Sequence, residues 1–104
     1  MNAEIKRRWI EALTSGKYKQ GTMTLHGGDA FCCLGVLCDL YATDHGLAWS
    51  EGSDAGTLSR QAAVLPIEVV RWAGLFGNSP VNLAIYNDDG MTFVNIAKII
   101  EAEL

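Results

Sequence analysis

The clearest patterns of apolar spacing lie at the two ends of the chain. Ile5, Trp9, Ala12 and Leu13 recur at helical intervals near the start, and Phe93, Ile96, Ala97, Ile100 and Leu104 do so near the end. Asn2 is placed to cap the first helix, Glu4 sits favourably in its first turn, and Gly16 stops it. Thr92 is the matching cap for the last helix. Each pattern predicts an amphipathic helix whose apolar stripe packs on a core.

Between these helices the period changes. Residues 17–26 alternate, with Tyr18, Gln20, Thr22 and Thr24 on one side and Met23 and Leu25 on the other, as in a short strand. Gly27-Gly28-Asp29 reads as a turn, with Asp29 positioned to cap the apolar segment after it. Residues 31–43 are too uniformly apolar for a surface helix, so a central helix covered on several sides is expected. Gly35 costs about 1 kcal/mol relative to alanine inside a helix, which points to close approach by another element. Residues 44–63 are polar and small, interrupted by Gly46, Gly52, Gly56 and the pair Ser53-Asp54. They suit either a β-hairpin with strands near 47–50 and 57–62 or an excursion from the domain. Pro66 fits the first turn of a helix through Val69, Val70 and Trp72 that Gly74 closes. Val81, Ala84 and Ile85 then show helical spacing before the turn Asn87-Asp88-Asp89-Gly90. The expected fold is α+β: one small domain over residues 1–104, about four helices around a buried central helix, with a short β-hairpin or small antiparallel sheet.

Composition narrows the class. With 104 residues, an apolar fraction of 49% and a charged fraction of 19%, the chain is that of one globular domain. No apolar run approaches the roughly 20 residues of a membrane helix. Glu4 and Glu11 among the early bases, without an apolar signal core, point to a cytoplasmic protein. Lys6, Arg7, Arg8, Lys17 and Lys19 make the start basic, while the rest is acidic enough to bring the net charge to -4. Phosphate attraction dominates non-specific nucleic-acid affinity, so nucleic acid is not the expected partner. An odd count of three cysteines fits reduced thiols rather than a disulfide framework.

Several chemistries can be weighed on spacing. Cys32 and Cys33 are adjacent, and Cys33 and Cys38 stand about 140° apart around a helix, so the thiols do not converge as a tetrahedral zinc site requires. No metal or other cofactor is expected. A cysteine-dependent hydrolase would draw on Cys32 or Cys33 near a helix start, with His26 as base and Asp29 to orient it. The turn at Asn87 is no EF-hand, because its twelfth position is Lys98 rather than a bidentate glutamate. A helix, a glycine turn and a helix beginning at Thr92 resemble a helix-turn-helix, the basis of an alternative reading as a small DNA-associated regulator. Its second helix nevertheless offers Lys98 alone against Glu101 and Glu103. No catalytic residue is assigned. The groups best suited to stacking a base and holding a phosphate or a protein backbone are Tyr18, Gln20, Arg60, Trp72 and Asn87, which form the candidate ligand-binding set.

A series of motifs adds context: Lys17-Tyr18-Lys19-Gln20-Gly21, the block Phe31-Cys32-Cys33-Leu34-Gly35-Val36-Leu37-Cys38-Asp39-Leu40, Leu65-Pro66, Trp72-Ala73-Gly74-Leu75 and Asn87-Asp88-Asp89-Gly90-Met91-Thr92-Phe93 with Ile96-Ala97. Together they resemble a family of small accessory proteins of tailed phages and prophages. The resemblance covers most of the chain outside residues 44–63. It implies a setting in the cytoplasm of an infected or lysogenic bacterial host and carries over no catalytic residues. In that setting the expected role is non-enzymatic counter-defence or host modulation. The protein would sequester a nucleotide signal or block a defence protein, with self-association open to it and no membrane involved.

Overall fold

The computed structural model describes residues 1–52 and 54–104. Helix α1 spans Ala3–Thr14, and the Asn2 carboxamide oxygen accepts from the Ile5 amide at 3.0 Å as its cap. Ile5, Trp9 and Leu13 make its buried stripe. Three two-residue strands come next, β1 (Lys19–Gln20), β2 (His26–Gly27) and β3 (Ala30–Phe31), in a mixed sheet ordered β1-β3-β2. The alternation expected to be one strand is split because Met23 takes a φ of 75° and turns the chain between β1 and β2. Gly28, at φ 59°, and Asp29 close the short antiparallel hairpin β2–β3, and β1 pairs parallel to β3 with Gln20 opposite Phe31.

The central helix α2 spans Cys33–His45, and residues 33–38 are all buried. Asp29 does not cap it, because that residue is spent on the hairpin turn. The cap is Cys32, whose Sγ accepts from the Gly35 amide at 3.4 Å. Gly35 behaves as its cost implies: a β-carbon there would overlap the carbonyl oxygen of Leu25. The segment leading into β2 therefore rests directly on the helix backbone.

Residues 44–63 hold β4 (Ala48–Ser50) and β5 (Thr57–Ser59), but the two run parallel, with Trp49 opposite Leu58, and so do not form the expected hairpin. Ser53, expected to help interrupt this region, lies outside the described residues. Nor is the segment an excursion. The amides of Leu25 and His26 donate to the carbonyls of Ala62 and Arg60 at 2.7 and 3.2 Å, which stitches it to the β2 side of the first sheet.

Helix α3 (Ile67–Ala73) has Pro66 at its cap position, a 3-10 turn runs over Pro80–Asn82, and α4 (Leu83–Asp88) and α5 (Phe93–Glu103) complete the chain. Helices α1, α3 and α4 contact α2, and α5 packs on α1 and α4. The buried cluster runs from Trp9 and Leu13 through Leu34 and Leu37 to Val69, Leu83, Ile96 and Ile100. The domain is thus α+β around a buried central helix. Among the described residues, no helix is long and apolar enough to cross a membrane.

Candidate functional site

The five residues with binding chemistry go to different places. Asn87, on the inner face of α4, is fully buried. Its carboxamide oxygen accepts from the Gln20 Nε2 at 3.0 Å and the Cys33 amide at 3.1 Å, and its Nδ2 donates to the Gly21 carbonyl at 2.8 Å. Gln20 also donates to the Met91 carbonyl at 2.7 Å and accepts from the Phe93 amide at 3.1 Å. Two predicted site residues therefore meet, but as a clamp joining β1, α2, α4 and the start of α5. Their hydrogen bonds are made inside the fold, where they tie these segments together.

Tyr18 is half-buried and donates to Asp39 at 2.7 Å, while the Trp49 indole donates to the other carboxylate oxygen at 3.0 Å. Burial, and then the hydrogen bond and charge of Asp39, push the Tyr18 hydroxyl well above its ordinary pKa. Phe31 stacks on His26 at 3.8 Å and stands edge-on to Tyr18 at 5.1 Å, so this aromatic group packs on itself. Arg60 lies near Glu51 at 3.3 Å and donates to the Gly28 carbonyl, bracing the hairpin. Trp72 lies elsewhere, edge-on to Tyr41 at 5.3 Å. The candidate set does not form one pocket.

The three thiols are buried, and that burial pushes all of them up from the ordinary thiol range. At Cys32 the helix-start amides pull the other way, and desolvation outweighs them. The His26 Nδ1 is engaged by the Ala30 carbonyl at 3.0 Å. Burial thus works against the thiolate form that a cysteine nucleophile uses. Among the described residues, no three His, Cys, Asp or Glu side chains are grouped to hold a metal ion.

An open face lies around the 3-10 turn instead. Val81 and Asn82 both adopt left-handed backbone, with φ of 43° and 57°. For a β-branched residue this conformation is strained, and such strain persists where surrounding structure imposes it. Phe76, in the loop after α3, is completely exposed, and Ile85 and Tyr86 on the outer side of α4 are exposed as well. A cleft of about 510 Å³ opens between Val81, Tyr86 and the Ile99–Glu103 end of α5, with Asn82 and Lys98 at its edge. A second, of about 270 Å³, also reaches Val81 and is lined by Met1, Leu75, Phe76, Pro80 and Leu104. Among the described residues, the side chains of Asn82, Tyr86 and Lys98 make no hydrogen bond or ion pair, so polar groups are free at the rim of an apolar face. That combination is the usual anatomy of a binding surface.

Sequence reasoning missed this face. A phenylalanine between Gly74-Leu75 and Gly77-Asn78, outside any periodic stripe, is a readable signal for Phe76. Val81 carries none, because a β-branched residue argues against the conformation it adopts.

Comparison with curated proteins and with solved structures brings no match. The model of the domain of unknown function DUF8296 matches over residues 1–104, and the chain belongs to that family.

Proposed function

We propose that the protein is a non-enzymatic accessory protein of the phage type, acting in the cytoplasm of a bacterial host by docking on a host defence protein and blocking it, with Phe76, Val81 and Tyr86 as the contact. The observation that carries this reading is the complete exposure of Phe76 beside a strained Val81 and two clefts. A large aromatic side chain left in water in the loop after α3 adds little to the stability of the monomer, and aromatic anchors beside pockets dominate protein interfaces. The buried thiols and the internally satisfied Gln20 and Asn87 support a binding role over a cysteine hydrolase. Lys98 as the one base on α5 gives little support to a DNA regulator.

The test is affinity capture from bacterial host cells with the full chain, its Phe76→Asp variant and a Lys19→Glu control on the β1 side. A protein retained by wild type and control but lost with Phe76→Asp is the expected result. A partner that Phe76→Asp still holds, or no partner at all, overturns the reading.

A second reading, sequestration of a nucleotide signal, draws on the 510 Å³ cleft, where the Tyr86 ring and the Lys98 ammonium could stack a base and meet a phosphate. Glu103 on the same wall weighs against it. A thermal shift with cyclic dinucleotides or cyclic ADP-ribose isomers, abolished by Tyr86→Ala, would support it, and a flat panel would remove it.

A further inference from the structure

We infer that the outer face of α1 and α5 is a homodimer contact, in which a two-fold axis parallel to the helices lays α1 of each copy on α5 of the other. The two helices lie side by side and antiparallel. The Lys6 ammonium donates to the Glu101 carbonyl at 3.1 Å, and Thr14 and Val94 line one shared cleft toward the other end. That cleft, of about 430 Å³, has Ile10, Val94, Ala97 and Ala102 as its apolar lining, and Val94 is 51% exposed. It adjoins a second of about 370 Å³ that shares Ile10 and Glu101 and adds Lys6 and Glu11.

Charge identifies the occupant. Lys6 on α1 stands across the groove from Glu101 on α5, and the antiparallel register sets Glu11 near the level of Lys98. Signs therefore alternate along each helix and oppose each other across the groove. A surface with this pattern is its own complement. The two-fold brings Lys6 of one copy over Glu101 of the other and Glu11 over Lys98, each contact occurring twice, as an isologous interface requires. A partner surface of a single sign would instead face like charges at half of these positions. Arg7 bonds both carboxylate oxygens of Glu4 and one oxygen of Glu11 at 2.6 Å, so the trio keeps one net negative charge and, among the described residues, the second Glu11 oxygen has no partner within the chain.

Magnitudes set the expected strength. Helices of 12 and 11 residues are about 18 and 16 Å long, so the footprint falls in the small class, below about 1,200 Å² in total. The apolar lining supplies the burial, while the exposed ion pairs contribute little energy and chiefly fix register. The dimer should accordingly form in the micromolar range.

The experiment is sedimentation velocity of the full chain from about 1 to 200 μM, the window in which a micromolar dimer dissociates. Wild type should shift from monomer to dimer across it. Val94→Glu and Glu101→Lys, both at exposed positions, should each weaken the dimer by about tenfold or more, and the double exchange Lys6→Glu/Glu101→Lys should restore it. Lys98→Glu with Glu11→Lys gives a second, independent pair with the same expected rescue. A wild type that stays monomeric throughout, a dimer indifferent to Val94→Glu, or charge exchanges that fail to rescue would overturn the inference.

Discussion

The two faces of α4 invert each other. Inward, Asn87 places a carboxamide in the core and every one of its polar atoms is matched by Gln20, Gly21 and Cys33. Outward, Ile85 and Tyr86 stand in solvent beside a strained Val81 and a fully exposed Phe76. The difference separates two kinds of unusual residue. A buried polar group with all its bonds made is a structural device that ties distant segments into one arrangement, because any other arrangement leaves it unsatisfied. An exposed apolar group beside a strained backbone adds little to the stability of the monomer, and on the function proposed above it serves a partner instead.

Substitutions should respect that boundary. The largest effect is expected inside, in the first turn of α2, where Gly35→Ala drives a methyl into the Leu25 carbonyl. Because that neighbour is backbone and cannot swing away, a loss of at least about 3 kcal/mol should appear in urea unfolding. Asn87→Ala comes next, at about 3 kcal/mol, by stranding the Cys33 amide and the Gly21 carbonyl. Adding Gln20→Ala should then cost much less than it does alone, as expected of residues sharing one network. Additive losses would show that the clamp does not act as a unit.

Tyr18→Phe should cost about 1.5 kcal/mol, since its hydroxyl donates to a carboxylate. It also has a pH signature. A hydroxyl whose pKa is raised on folding holds its proton in the folded state while the unfolded chain releases it. Its stabilisation is therefore full below pH 10.0, its ordinary value, and is lost as pH rises beyond it. The raised thiols of Cys33 and Cys38 act with the same sign from 9.0 upward. Unfolding free energy should thus fall on the alkaline side, and Tyr18→Phe should flatten the part of that fall above pH 10.0.

Outside, the sign reverses. Val81→Asn places a residue that tolerates left-handed backbone where valine is strained, and should raise stability by about 1 kcal/mol. The smallest effect belongs to Phe76→Asp, within about 0.5 kcal/mol of wild type by thermal unfolding, even though it should abolish partner capture. A large loss of stability from Phe76→Asp would mean that the ring packs in the monomer, and the contrast between the two faces of α4 would collapse.

Much of the frame is legible in the order of residues. Asn2 and Thr92 cap the helices that their positions predict, and the stripes of Trp9 and Ile96 are buried. Gly35 marks a real backbone contact. These features depend on spacing and on one residue's own covalent limits. The site is less legible. Tyr18, Gln20, Arg60, Trp72 and Asn87 stand out for side-chain chemistry, and chemistry does not say whether a group faces water or another part of the chain. Gln20 and Asn87 are distant in sequence, and only the packing of α4 on α2 makes them partners. Asp29 could have capped a helix, but the hairpin turn claims it and leaves the cap to Cys32.

Local order along the chain settles where the helices run, which faces they bury and that a covered helix rich in cysteine lies at the centre, because helical period and capping act over a few residues. It does not settle that β4 and β5 run parallel, that the amides of Gln20 and Asn87 turn inward, or that Phe76 and Val81 turn outward; these belong to the folded arrangement. Each of those outcomes depends on contacts between segments far apart in the chain, where the requirement to satisfy buried polar groups outweighs any local preference.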